Sequence, residues 1–184
     1  MKKIITPRLT LAPLDESYLS TTYAYGGDRE NTKYMAFLPF ISLEETRAFL
    51  RACEQEWQKV QPVAYEYAIL LEGTHIGGVS LYLNDARDTG ELGWILHPAH
   101  QGRGYALEAA RALMERAEKA RGIRRFIAHC DTENTPSRRV MEKLGMRRIS
   151  CTGGRKNRIS DEERMEYLYA LDRGCPENPL QNHA

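Results

Sequence analysis

The run HPAHQGRGYALEAARALMERAEKA, residues 97–120, places Gly102 and Gly104 around Arg103 directly ahead of a long stretch with helical spacing. A helix starts with backbone N–H groups that have no partner inside it and with the positive end of its macrodipole. Glycines at that entry remove the Cβ atoms that would hold an anion away from the amides. Residues 101–106 are therefore a candidate anion nest, with a plain strand-to-helix turn as the competing reading. The dinucleotide pattern GxGxxG fails because Leu107 stands where its third glycine belongs, and no Gly-Lys-Ser/Thr follows to make a P-loop. Just upstream, in GELGWILHP, strand alternation puts Glu91, Gly93, Ile95 and His97 on one face and Leu92, Trp94 and Leu96 on the other. His97 and His100 offer two imidazoles, but no neighbouring Cys or carboxylate completes a metal site, so no metal is expected.

The elements that must position these groups follow from periodicity. Ala106, Ala110, Leu113, Met114 and Ala117 form the apolar stripe of a helix after the glycine loop. Leu9 and Leu11 alternate in a first strand near residues 5–12. Ser42 stands three residues before Glu45, a capping-box pattern, and opens a helix that ends before Pro62. VAYEYAILLEGTHIGGVSLYL and GELGWILHP read as three strands in a meander, turned at Glu72-Gly73 and at 84–90. RRFIAHC is a further strand, PSRRVMEKLG a short helix, and MRRISCT with RMEYLYALD a closing pair. Strands first, then strand–helix alternation, argue for an α/β (α+β) chain: a mixed, mostly antiparallel sheet of about six or seven strands flanked by helices.

At 184 residues the chain suits one domain, expected over 1–173 with an irregular tail over 174–184. With 42% hydrophobic and 28% charged residues and a formal net charge of +1, it reads as an ordinary soluble protein, with no warrant for nucleic-acid binding. No stretch approaches the length of a membrane span, and Cys53, Cys130, Cys151 and Cys175 lack CxxC spacing. These features fit reduced thiols in a cytoplasm, with no membrane partner.

Gln101-Gly102-Arg103-Gly104-Tyr105-Ala106 matches Q/R-x-x-G-x-G/A between a strand and a helix, and so resembles the acetyl-coenzyme A signature of the GCN5-related N-acetyltransferases (GNAT superfamily). About thirty residues later NTPSRRVMEKLGM resembles that superfamily's second signature. The wording of both looks most like its RimJ/RimL-like, ribosomal-protein branch. The resemblance implies a sheet whose fourth and fifth strands splay, with pantetheine in the cleft beside Trp94, Ile95 and Leu96. It also implies a pyrophosphate held by Gln101, Gly102, Arg103, Gly104, Tyr105 and Ala106. Acetyl-CoA is then the co-substrate, and the partner is a primary amine, either a small molecule or a peptide N-terminus. Homodimerisation is left open.

Acetyl transfer to an amine needs a neutral nitrogen, a polarised thioester carbonyl and a proton for the leaving thiolate. Family members often place a base on the strand holding Glu91, which makes Glu91 the first candidate base and His97 the second. Each has a plainer reading, as a sheet-end ion-pair partner and as a strand terminator. The second signature implies that Asn134 contacts the cofactor and that the Ser137 hydroxyl faces the sulfur as proton donor, with Tyr105 or Tyr167 as alternatives. Thr135 followed by Pro136 also reads as N-cap and N1, which would make Ser137 a first-turn residue. His129-Cys130 keeps transfer through a thiol as a minor route. Arg147, Arg148, Arg155, Lys156 and Arg158 suit an acidic acceptor or, the preferred reading, a solvated hairpin. Tyr18, Tyr23, Tyr25, Tyr34 and Phe37 line an acceptor pocket or pack the first helices. A non-catalytic acyl-CoA module is the rival from another class.

Overall fold

A computed structural model describes residues 3–174; the expected irregular tail, apart from Gly174, lies outside the described residues. The elements in order are β1 (Ile4–Ile5), β2 (Leu9–Pro13), a 3-10 turn (Glu16–Tyr18), α1 (Leu19–Gly26), the single turn α2 (Arg29–Thr32) and α3 (Leu43–Gln58). There follow β3 (Ala64–Leu71), β4 (Thr74–Leu83), β5 (Thr89–Leu96), α4 (Tyr105–Arg121), β6 (Arg125–Asp131), α5 (Thr135–Lys143), β7 (Arg147–Arg155) and β8 (Arg164–Asp172). They build one sheet of eight strands in the order β1-β2-β3-β4-β5-β6-β8-β7. Every neighbouring pair is antiparallel except β5 with β6, which α4 connects as a parallel crossover.

The expected first strand is broken into β1 and β2. The Thr6 amide bonds back to the Leu9 carbonyl at 2.9 Å, and Pro7 has no amide to continue a ladder, so the chain turns and pairs with itself. That turn accounts for the strand beyond the six or seven expected. The meander is as its turn residues dictate: Glu72 and Gly73 both take positive φ, 50° and 82°, the signature of a tight two-residue hairpin.

Alternation sends two sets of side chains to two faces. One face carries the main core, where Tyr65, Tyr67, Val79, Leu81, Leu92 and Phe126 meet the α4 stripe Ala106, Ala109, Ala110, Leu113, Met114 and Ala117 together with Met141 of α5. The alanines let α4 lie close to the sheet. The other face packs Ala68 against Leu14 and against Leu50 and Cys53 of α3. Ser42 caps α3 as expected, its hydroxyl accepting the Glu45 amide at 3.1 Å. The returning Glu45 carboxylate takes the Ile41 amide instead of the cap's own, one residue further out than a capping box prescribes.

The β7–β8 hairpin reaches back over the segment after α2. The buried Asn157 amide donates to the carbonyls of Thr32, Met35 and Leu38 at 2.9, 2.8 and 3.0 Å. Arg155 donates twice to the Tyr34 carbonyl, and Arg158 pairs with Glu45 of α3. The tyrosine-rich stretch is thereby fixed against the end of the sheet.

Candidate active site

Strands β5 and β6 pair only over Thr89–Arg125, Gly90–Phe126 and Glu91–Ile127, and then diverge. Among the described residues, β5 from Leu92 to Leu96 has no ladder partner besides β4, so Trp94, Ile95 and Leu96 lie along an open strand edge, at whose end the Leu96 carbonyl accepts from Asn31 Nδ2 at 3.1 Å and Gln101 Nε2 at 3.2 Å. Trp94 and Leu96 turn to the α4 face, where both pack on the main core. A strand edge of this kind offers unpaired amides and carbonyls to an extended ligand.

At the far end of that edge stands the glycine loop. Gly102 and Gly104 take φ of 74° and 81°, a left-handed backbone that favours glycine. Around Gly102 no protein atom lies within 4 Å of where a Cβ would sit, so the glycines serve backbone geometry and leave the outer side of the loop open. Gly104 caps α4 without a side chain, and the first helical bond there is Glu108 N–H to the Gly104 carbonyl. The preceding amides have no helical acceptor, which is the donor set an anion needs. Gln101 does something else with its side chain: Nε2 donates to Asn31 Oδ1 at 2.7 Å and to the Leu96 carbonyl at 3.2 Å, tying the loop to α2.

A brace missed in the sequence holds this loop. Arg8 donates from Nη1 to the Arg103 carbonyl at 3.0 Å, bonds Glu108 through Nε at 2.6 Å, and lies 4.7 Å from the centre of the Tyr105 ring. Burial works against ionisation of Glu108, but hydrogen bonds from the Thr6 hydroxyl and from the Arg8 amide and guanidinium prevail and hold its carboxyl below the usual range. Tyr105 is buried beneath this arginine. Nothing in the local sequence marks Arg8, because its partners are about 100 residues away.

His97 ends β5. Its Nδ1 accepts the Ala99 amide at 3.3 Å and caps a 3-10 turn, Pro98–His100, so that one ring nitrogen is spent on local structure. Glu91, by contrast, is exposed at the apex of the divergence, on the face away from α4 and directly across from Tyr82 of β4. The Tyr82 hydroxyl bonds the Glu66 carboxylate of β3. Burial pushes the Glu66 carboxyl up to about 7, a rise that the Tyr82 hydrogen bond partly offsets. Glu66 was not singled out in the sequence, where it is one charged position in an otherwise apolar strand.

The other wall of the cleft carries a second constellation on the same face as Glu91. His129 of β6 lies two residues beyond Ile127, with Nδ1 2.9 Å from Glu166 Oε2 of β8. The second oxygen of Glu166 bonds Arg155. Asp131, 1% exposed, is paired with Arg164, whose guanidinium sits 5.3 Å from the centre of the Tyr34 ring. Cys130 points to the opposite face among the core side chains, and burial pushes its thiol up to about 11. His129-Cys130 is therefore not a thiol–imidazole pair: adjacent strand residues face apart. The basic stretch is also resolved into separate partners. Arg155 meets Glu166, Lys156 meets Glu163 at 3.2 Å, and Arg148 lies 5.0 Å from the centre of the Tyr167 ring. Arg155, with a side chain only 13% exposed, departs from the solvated hairpin expected.

Asn134, not Thr135, is the N-cap of α5. Its Oδ1 accepts the Ser137 amide at 3.1 Å, which places Thr135 and Pro136 in the first turn and leaves the asparagine Nδ2 as a spare donor. Ser137 is half-buried in that same turn. A cavity of about 330 Å³ is lined among others by Arg29, Lys33, Tyr34, Glu133, Asn157 and Arg164. The N-terminal aromatics divide accordingly. Tyr34 lines this cavity, Tyr18 and Tyr25 pack on His75, and Phe37 is 89% exposed. Among the described residues, no group of three or more His, Cys, Asp or Glu side chains is placed to hold a metal ion, and no helix is long and apolar enough to cross a membrane.

An open strand edge that runs into an amide nest, with titratable groups on the opposite face, defines a group-transfer enzyme for a long anionic carrier. Residues 8–147 match the Acetyltransferase (GNAT) domain, and the chain belongs to that acetyltransferase family. It is 34% identical over 145 residues to the uncharacterized N-acetyltransferase YnaD of Bacillus subtilis, covering 79% of this chain and 82% of the relative. Among solved structures it resembles a GNAT-family acetyltransferase from Bacillus anthracis, with a TM-score of 0.80, 29% identity and coverage of 93% and 98% of the two chains. RimL, a ribosomal-protein alpha-N-acetyltransferase in complex with coenzyme A, shares the fold at a TM-score of 0.83 and 21% identity, again with 93% and 98% covered.

Proposed function

We propose that this chain transfers acetyl from acetyl-CoA to a primary amine by direct attack of the nitrogen, without a covalent enzyme intermediate. The observation that carries the reading is the opening of β5 from β6 after Glu91, with the nest of residues 102–106 at the other end of the exposed edge. In this reading the amides of 102–106 and the exposed Arg103 hold the pyrophosphate, and Arg8 keeps their carbonyl side fixed. The β5 edge at Trp94, Ile95 and Leu96 receives pantetheine, and Asn134 adds its spare Nδ2. The thioester then lies near the apex, where Glu91 meets the incoming ammonium and Ser137 supplies a proton to the leaving thiolate. His97 is left to its cap. Direct attack fits the placement of Cys130 in the core, away from His129.

The mixed charge of the cavity beside Tyr34 suits an acceptor carrying polar groups of both signs. A peptide N-terminus, the class on which RimL acts, and a small amine are both accommodated, and a panel of each separates them. The test is free-thiol release from acetyl-CoA over that panel, with wild type and Gly104→Val. The expected result is release with wild type, and loss of both turnover and acetyl-CoA-dependent thermal stabilisation in the variant. Stabilisation by acetyl-CoA with no thiol release for any amine would make the chain a binding module instead.

A further inference from the structure

We infer that His129, oriented by Glu166, is the group that takes the proton from the acceptor amine, while Glu91 holds the ammonium opposite it. The inference rests on the acetyl-transfer reading above and adds a catalytic residue on the second wall of the cleft. Glu91 and Ile127 are the last paired residues, and His129 is the next position of β6 on the Glu91 face. His129 lies one same-face step beyond the last pair, where the strands separate, so its side chain and that of Glu91 flank the opening of the cleft. A nitrogen lying between the two side chains is within reach of both.

The orientation of the imidazole is set by its partner. A carboxylate 2.9 Å from Nδ1 holds the ring proton there and leaves the lone pair on Nε2. Nε2 makes no hydrogen bond to any described residue, and the His129 side chain is 32% exposed. Glu166 cannot swing away, because its other oxygen is taken by Arg155, itself anchored at 3.2 and 2.9 Å on the Tyr34 carbonyl. The remaining charged groups around this face are Asp131 and Glu133, which both pair with Arg164, Glu66, whose carboxylate takes the Tyr82 hydroxyl, and Glu91 across the cleft. An imidazole takes and releases protons nearer neutrality than a carboxylate does, which is what a base working at neutral pH requires.

The bookkeeping of atoms closes. The ammonium gives one proton to His129 Nε2. The neutral nitrogen forms the C–N bond to the thioester carbon as the C–S bond breaks. The nitrogen loses a second proton, and the thiolate gains one through Ser137 or directly. His129 then returns its proton to solvent, leaving an amide, free coenzyme A thiol and one released proton. Glu166 is a positioning residue in this scheme, since it acts through the ring.

The experiment follows steady-state thiol release against pH for wild type, His129→Gln, His129→Ala, Glu166→Gln and Glu91→Gln, with the best amine of the panel. His129→Gln is expected to lower kcat by roughly 10²- to 10⁴-fold with KM for the amine changed only a few-fold. Added imidazole should restore part of the activity of His129→Ala. Glu166→Gln should displace the pH profile and lower kcat less, and Glu91→Gln should act mainly on KM. Lys156→Ala, on the same hairpin, should leave the profile unchanged. A His129→Gln enzyme within about threefold of wild type across the profile overturns the assignment, as does a loss in His129→Ala that imidazole does not relieve while circular dichroism shows a folded protein. A wild type that releases no thiol with any amine overturns the acetyl-transfer reading itself, and this assignment with it.

Discussion

Replacing Glu66 with glutamine should flatten one component of the protein's stability against pH. The Glu66 carboxyl is held up at about 7 from an ordinary 4.5, chiefly by burial. A raised acid binds more protons folded than unfolded, so its contribution is complete below about 4.5 and is lost as pH climbs to about 7. At about 1.4 kcal/mol per pH unit of separation, the loss between pH 5 and pH 8 comes to roughly 2–3 kcal/mol. Glutamine keeps an oxygen to accept from Tyr82 and has no charge to bury. Urea denaturation of both proteins across this range should give nearly equal stabilities at pH 5 and a variant about 2–3 kcal/mol more stable at pH 8. For a domain of this size that corresponds to a rise in Tm of roughly 5–10 °C. Other carboxylates titrate in both proteins and cancel in the difference. A difference that stays constant from pH 5 to pH 8 would refute the reasoning and place water, not protein, around the carboxyl.

Arg8→Ala should weaken acetyl-CoA binding several-fold by calorimetry, because it frees the Arg103 carbonyl and leaves the Glu108 carboxylate uncompensated beside the nest; unchanged affinity would show that the loop holds its shape alone. Leu113→Ala removes a fully buried side chain from the α4–sheet interface and should cost about 2–5 kcal/mol in urea unfolding, while the affinity of the residual folded protein for acetyl-CoA stays close to wild type.

What the sequence showed and what it hid divide along the distance between interacting residues. The α4 stripe, the Ser42 cap, the Glu72-Gly73 turn and the glycine loop are written in neighbours a few positions apart, and each stands where periodicity and turn chemistry put it. The partner of His129 is 37 residues away on a strand whose register is fixed only by the finished sheet, so the pair could not be read in advance. The same holds for Glu66 with Tyr82 and for Arg8 with Glu108. One local reading shifted by a residue: Asn134 took the cap because its side chain reaches the Ser137 amide.

The Asn157 amide gathers three carbonyls from a segment that precedes it by 119 to 125 residues. On a ribosome adding about 5–20 residues each second, that interval lasts roughly 6–25 seconds. Throughout it, the stretch from Thr32 to Leu38 has been synthesised without the side chain that fastens it. The cavity beside Tyr34 therefore takes shape late, in the same interval as β8, whose Tyr169 closes the main core.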